Sequence, residues 1–296
     1  MPTLDAAQLA ERARIAHERL RACDLCPRAC GVDRTRGELG FCRVGARAIV
    51  ASYGPHFGEE RPLVGRHGSG TVFFSGCNLA CEFCQNEDIS HGLAGGETTS
   101  DDLAAIFLTI QRNGCHNLNL VTPTHVVPQW LDALALARAH GFDLAVAYNT
   151  GGYDRVDTLQ LLAGVVDIYM PDYKFADEAV AERLAHAPDY PTVVQAALRE
   201  MHHQTGDLET DATGTARRGL LVRHLVMPEN LAGSREAMRF LAREISTFTY
   251  VNIMGQYHPC FNAYRHEDLR RRLTVDERQA VFDAAREFGL SPLDKR

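Results

Sequence analysis

The 296-residue chain reads as an α/β protein built on a parallel sheet and preceded by a cysteine-rich extension. Three observations predict this. From residue 70 onward short apolar strands alternate with amphipathic helical stretches, the pattern left by parallel strands joined through helical crossovers. Six strands are expected, over 70–76, 117–122, 143–149, 165–171, 219–227 and 249–255, and each runs into a polar segment. Finally, the nine cysteines fall into two dense groups (23, 26, 30, 42 and 77, 81, 84) plus Cys115 and Cys260.

Composition sets the outer bounds. With 45% hydrophobic and 23% charged residues the chain has an ordinary globular make-up and can bury a large core. Its formal net charge of -7 offers no basic footprint, so neither nucleic acid nor a membrane surface is an expected partner. No apolar run reaches the length of a membrane span, and the first twenty residues carry Asp5, Glu11, Arg12, Arg14, Glu18 and Arg19 where a signal peptide would be apolar. A cytoplasmic location is therefore expected. There, dense cysteine groups in odd total number indicate metal binding rather than disulfides.

Residues 3–21 are expected to form a helix capped by Thr3, with Leu4, Leu9, Ala13, Ala16 and Leu20 at helical spacing. Next come Cys23, Cys26, Cys30 and, beyond a loop, Cys42. This four-thiolate pattern suits either a closed tetrahedral zinc site or a second iron–sulfur cluster, and spacing does not choose between them. Residues 1–69 are thus expected as an extension and 70–296 as the main domain. Residues 46–69 hold too many glycines and prolines for a helix. Within them His56, beside Glu59 and Glu60, is a candidate catalytic residue, although a lone histidine is more commonly a surface or core group.

Helices are expected from about 101 with Ser100 as cap, from Pro128 to Gly141, across 176–205, from Ser234 to 245, and from Thr274 to Gly289 with Thr274 and Glu277 as a capping box. Residues 206–216 read as an exposed loop or hairpin. Gly95-Gly96-Glu97 reads as a flexible loop.

The chemistry is expected at the carboxyl ends of the strands. Those ends carry Cys77 to Cys84, Thr122-Pro123-Thr124-His125, Asn149-Thr150-Gly151, Asp172-Tyr173-Lys174, Arg223-His224 and Gln256-Tyr257-His258-Pro259-Cys260. Each has a bland reading as a cap or surface charge, but six polar ends on one rim indicate a ligand-binding mouth. Cys77, Cys81 and Cys84 are three thiols, whereas a closed structural site takes four ligands. A four-iron cubane on three cysteinates keeps one iron open. Zinc deaminase chemistry would need a proline before Cys81, where the chain has Ala80. An iron–sulfur electron carrier, or a metal-stapled binding module without its own chemistry, is the competing class.

The run Cys77, Cys81, Phe83 and Cys84 after a first strand resembles the radical S-adenosylmethionine (SAM) superfamily. Similarity to pyruvate formate-lyase activating enzymes continues through Asn149-Thr150-Gly151, Asp172 with Lys174, Val222-Arg223-His224 with Pro228, and Tyr257-His258. The N-terminal cysteines, Gly68-Ser69-Gly70, Cys84-Gln85-Asn86 and Val121 to His125 are similar to the PflX-type branch, which has no settled substrate.

This resemblance implies a partial (β/α)6 TIM-like barrel, a [4Fe-4S] cluster on Cys77, Cys81 and Cys84, and SAM chelating the open iron. It implies a radical SAM enzyme of oxidoreductase type that forms a 5′-deoxyadenosyl radical and abstracts hydrogen from a protein or small molecule. Activation of a glycyl-radical enzyme is one such role. An electron donor such as flavodoxin or ferredoxin is implied as partner. Asn149, Asp172, Lys174 and Arg223 would bind SAM, and His258 would face substrate or cofactor. Activating enzymes use a glycine-rich acidic turn after the second strand, and this chain has Thr122, Thr124 and His125 there instead, as acceptors for the SAM ammonium. Cys260 is either a hydrogen-atom donor or methyl acceptor, or a packed thiol like Cys115.

Overall fold

A computed structural model describes residues 4–294 of the chain. Its strands, in chain order, are β1 (Ala48–His56), β2 (Ser69–Phe74), β3 (Gly96–Thr98), β4 (Asn117–Val121), β5 (Ala145–Thr150), β6 (Ile168–Pro171), β7 (Glu209–Thr210), β8 (Ala216–Leu225), β9 (Tyr250–Met254) and β10 (Leu293–Asp294). The helices are α1 (Ala6–Glu18), α2 (Arg61–Val64), α3 (Glu87–Ser90), α4 (Ser100–Arg112), α5 (Val127–Ala139), α6 (Val156–Leu161), α7 (Glu178–Ala185), α8 (Tyr190–Thr205), α9 (Ser234–Phe240) and α10 (Val275–Glu287).

The sheet runs in the linear order β10-β9-β8-β6-β5-β4-β2-β1-β3. Strands β2, β4, β5, β6, β8 and β9 are the six expected from sequence, and each pairs parallel with the next. β10 adds a parallel strand at one edge, while β1 pairs antiparallel with β2 and β3 antiparallel with β1.

Alternation along these strands divides the apolar residues into two sets. Val72, Phe74, Leu118, Leu120, Val146, Tyr148, Leu220, Val222, Val251 and Ile253 belong to the main core shared with the helices. Ala147, Ile168, Met170, Ala216 and Leu221 cluster separately around Leu63 of α2. The concave side of the sheet is therefore plugged by the segment after β1. Asn252 donates to Glu60 (2.8 Å) from one wall and Asn117 donates to the Leu63 carbonyl (2.9 Å) from the other.

Several local expectations are corrected. α1 begins after Asp5, whose carboxylate accepts from the Gln8 amide in a capping box, and Thr3 lies outside the described residues. α4 is capped by Thr99, not Ser100, because the Thr99 hydroxyl accepts the Asp102 amide. α9 follows left-handed Gly233, and the Ser234 hydroxyl is instead bound to His224 Nε2 at 2.8 Å. Gly96 and Glu97 are not in a loop: they pair with β1. The Thr274–Glu277 capping box is formed.

Candidate active site at the strand ends

Ser75 and Gly76 carry the chain out of β2 into the cysteine loop. Gly76 has φ +82°, and a Cβ there would stand 2.6 Å from the Cys42 carbonyl oxygen, so only glycine fits. The loop is anchored from both sides. Arg28 Nε donates to the Asn78 carbonyl (2.8 Å), the Asn78 amide donates to the Tyr153 carbonyl (2.6 Å), and the Glu82 N–H reaches the Leu184 carbonyl at the end of α7 (2.9 Å). Phe83 is buried edge-on against Phe175, with ring centroids 5.9 Å apart.

Burial pushes the Cys77 thiol up to about 11 and Cys81 up to about 12, against the pull of Lys174 on both. As free groups they stay protonated. A buried thiol becomes a thiolate when a metal replaces its proton, and the Leu79 N–H already points at Cys77 Sγ (3.3 Å). Among the described residues no three donors gather around one point as a single ion requires. The corners of a four-iron cube ask for no such convergence, and three thiols on one eight-residue loop match it in kind and number.

Beside the thiols, the ends of β6 and β8 bring together a charged chain. Asp172 Oδ2 accepts from Lys174 Nζ (2.6 Å) and Asp172 Oδ1 from Arg223 Nε (2.7 Å). Arg223 Nη2 also donates to Asn149 Oδ1 (2.8 Å), and its Nη1 stands 3.8 Å from Glu59. Burial works against the Asp172 charge, yet Arg223 and Lys174 outweigh it and hold the carboxyl below its ordinary range. Burial likewise opposes the Lys174 charge, and Asp172 outweighs it and raises the ammonium. Glu59 is pushed up to about 7, by burial first, against the pull of Arg223, with Glu60 and Asp172 adding to the rise.

Tyr190 locks this arrangement from α8. Its hydroxyl reaches the carbonyls of Gly151 (2.9 Å) and Asp172 (2.8 Å) and accepts the Lys174 N–H (2.9 Å).

A cavity of about 240 Å³ opens here, lined by Cys81, Phe83, Cys84, Gln85, Asn86, Asp172, Lys174, Arg223, Leu225, Met227, Met254 and Gln256. The structure thus brings Asp172, Lys174 and Arg223 to the thiols, with Asn149 directly behind. His258 stands exposed on the rim, 3.5 Å from the Gln85 amide.

Other sequence candidates are placed elsewhere. The Thr124 hydroxyl is buried and donates to Asp154 (2.7 Å), and His125 is buried with Nε2 on the Ser75 carbonyl (2.8 Å). Neither lines the cavity: past the left-handed turn at Thr122 (φ +57°), Thr124 joins Thr150, Asp154 and Tyr148, and His125 packs against Ser75 and Gly76. His56 is exposed on β1, edge-on to Phe73, and is likewise absent from the lining.

Sequence reasoning missed the wall formed by Leu225, Met227 and Met254, the lock formed by Tyr190, and Glu59 as a neighbour of Arg223. Glu59 lies 164 positions from Arg223 in sequence. No local pattern announces that contact.

The N-terminal cysteines form a second group. Burial pushes Cys26 up to about 12 and also raises Cys42; for Cys26 the charges of Cys42, Cys23 and Cys30 add to the effect. Backbone N–H groups point at these sulfurs, Phe41 N to Cys30 Sγ at 3.3 Å among them, and the buried Arg34 guanidinium stands 3.8 Å from Cys23 Sγ.

No protein-family model matches the chain. The arrangement of six parallel strands is similar to that of one solved structure. The solved radical SAM methyltransferase from Sphaerobacter thermophilus superposes with a TM-score of 0.53 at 18% identity, over 77% of this chain and 66% of that one, just under two thirds of its length. The chain is also 31% identical over 285 residues to Uncharacterized protein MJ0674 of Methanocaldococcus jannaschii, covering 93% of this chain and 78% of the relative. It belongs to the family of that protein. Among the described residues no helix is long and apolar enough to cross a membrane.

Proposed function

We propose that the protein is a radical SAM enzyme with a [4Fe-4S] cluster held by Cys77, Cys81 and Cys84. The observation that carries this reading is the juxtaposition of Cys81 and Cys84, on the loop that Cys77 opens, with the Lys174–Asp172–Arg223 chain around one cavity. When bound, the cluster and SAM would supply one-electron cleavage of the sulfonium to a 5′-deoxyadenosyl radical.

The chain's own residues have separable tasks. Three thiols give the cluster its protein ligands and leave one position open. Asp172, Lys174 and Arg223 present both signs of charge to the zwitterionic methionine end of SAM, the cations to its carboxylate and Asp172 to its ammonium. Thr124 and His125 are given no part in this role, since the Thr124 hydroxyl is bound to Asp154 and His125 Nε2 to the Ser75 carbonyl, outside the cavity lining. Tyr190 holds the ends of β5 and β6 at fixed separation, which preserves the spacing of the charged chain. Phe83, Leu225, Met227 and Met254 exclude water from the space where a radical would form. His258, on the exposed rim, faces an incoming substrate.

Within this reading the substrate is a protein segment or small molecule that yields a hydrogen atom, and activation of a glycyl-radical enzyme is the finer form. A flavodoxin- or ferredoxin-type donor would provide the electron.

The test is anaerobic reconstitution with iron and sulfide, reduction by dithionite, and SAM. Release of 5′-deoxyadenosine and methionine, lost in the Cys77→Ala/Cys81→Ala/Cys84→Ala variant, is expected. A protein that holds its cluster, takes up an electron and leaves SAM intact would be an electron carrier.

A further inference from the structure

We propose that the four N-terminal thiols hold a second iron–sulfur cluster, and that this cluster is the port through which an acidic one-electron carrier reduces the site at Cys77, Cys81 and Cys84. The inference rests on the radical SAM reading and extends it to the source of the electron.

The first observation is contact between the two cysteine groups. Arg28, which lies between Cys26 and Cys30, donates to the carbonyl of Asn78, the residue after Cys77 (2.8 Å). The Cys42 carbonyl packs against Gly76, the residue before Cys77, so closely that a Cβ would stand 2.6 Å away. The two thiol groups are thus joined through a short hydrogen-bonded bridge and through direct backbone contact. A purely structural staple needs neither. The bridge also ties Arg28 over the Phe41 ring, 3.7 Å from guanidinium to centroid, next to Cys42.

The second observation is the surface above the group. Between Arg19 and Arg47 the chain carries seven arginines against Asp24, Asp33 and Glu38, a local balance of +4 in a protein whose net charge is -7. Arg21, Arg36, Arg43 and Arg47 are exposed, and Cys30 is partly so. The same stretch exposes Leu39 and Phe41, 57% and 38% accessible, with Arg28 stacked on the Phe41 ring. A segment with a basic excess and exposed apolar side chains, on an otherwise acidic molecule, favours an acidic protein carrier by charge, even with Arg47 facing Glu97 and Arg19 facing Asp157.

The balance of the step is simple. The reduced carrier loses one electron, the N-terminal cluster gains and then loses it, and the cluster at Cys77, Cys81 and Cys84 gains it. No bond forms or breaks and no proton is required.

The test uses the full chain, reconstituted anaerobically. Wild type is expected to hold about eight irons with matching labile sulfide, and the Cys77→Ala/Cys81→Ala/Cys84→Ala variant about four. Zinc in place of iron in that triple variant would overturn the proposal.

The second readout is the rate at which visible absorbance bleaches when a reduced acidic flavodoxin is added, compared with dithionite. The surface variants Arg36→Glu and Leu39→Ala, which leave all the thiols in place, are expected to slow bleaching by flavodoxin at least tenfold while dithionite reduces them as wild type. The wild-type flavodoxin rate is expected to fall as salt is raised. Equal rates for wild type and variants with flavodoxin would sink the docking face. Dithionite-driven release of 5′-deoxyadenosine reports on the radical SAM reading separately, so failure of the one is distinguishable from failure of the other.

Discussion

Replacing Asp172 with Asn probes the centre of the candidate site without changing its shape. The carboxylate accepts from Lys174 at 2.6 Å and from Arg223 at 2.7 Å. The three side chains are only 13–20% exposed, so solvent screening does not reduce these pairs to the small value of surface ion pairs. Asp172→Asn leaves two neighbouring, largely buried cations, with Glu59, 3.8 Å from Arg223, and Glu60 as carboxyls that still act on Arg223.

Breaking a buried pair from one side costs about 3–5 kcal/mol. Because removal of Asp172 also relieves repulsion on Glu59 and lets it ionise, the lower end, about 3 kcal/mol, is expected here. The assay is urea unfolding of the metal-free protein at pH 7.5. With an m-value of about 3 kcal/mol/M for a chain of this size the midpoint falls by about 1 M. Lys174→Met in the Asp172→Asn background is expected to cost less than the sum of the singles, by about 1–2 kcal/mol, since it removes one orphaned cation. A loss below about 1 kcal/mol in Asp172→Asn, or strictly additive singles, would refute the view that these charges act as a coupled unit.

Four further outcomes are expected. Burial pushes His125 and His224 down to about 4 from an ordinary 6.5, so each contributes stability that is complete above 6.5 and lost as pH falls through 4, roughly 3 kcal/mol apiece. Glu59 acts oppositely: raised from 4.5 to about 7, its contribution is complete below 4.5 and lost as pH rises through 7, about 3 kcal/mol. The two histidines outweigh it, so urea midpoints of the metal-free protein should fall from pH 6.5 to 4, and Glu59→Gln should make the fall steeper. A flat profile would contradict both assignments. Thr124→Val deprives buried Asp154 of a donor and should cost about 2 kcal/mol while leaving SAM affinity by calorimetry unchanged; weakened SAM binding would return Thr124 to the site. Gly152→Ala forces a side chain at φ +79° with its Cβ 2.3 Å from the Asp172 carbonyl oxygen, and should lower both thermal stability and SAM affinity, whereas wild-type values for both would show that the end of β6 yields freely. Reconstituting wild type with iron and sulfide in weakly buffered solution should release protons from the thiols, because thiols raised to about 11 or 12 bind metal only on deprotonation; no acidification would argue against Cys77 and Cys81 as ligands.

The six consecutive strands were legible because their apolar runs are short, flanked by glycine or polar residues, and separated by helical periodicity. Asp172, Lys174 and Arg223 were legible as chemistry because a residue at the end of a parallel strand faces the mouth whatever the helices do. The register of side chains just past a strand end was not. Thr124 and His125 differ from Asp172 in that a left-handed turn at Thr122 intervenes, and one such residue redirects all that follow.

What the sequence by itself determined is the alternating architecture, the three-thiol loop after the first strand and the presence of a second thiol group. These depend on periodicity and spacing along a single stretch of chain. Only the tertiary structure decided that the segment 59–63 plugs the concave side, that Glu59 stands beside Arg223, and that Arg28 joins the two thiol groups. Such contacts link residues 50 or more positions apart, and they follow from how the first strand docks antiparallel on the second and brings the segments before and after it against the parallel strands.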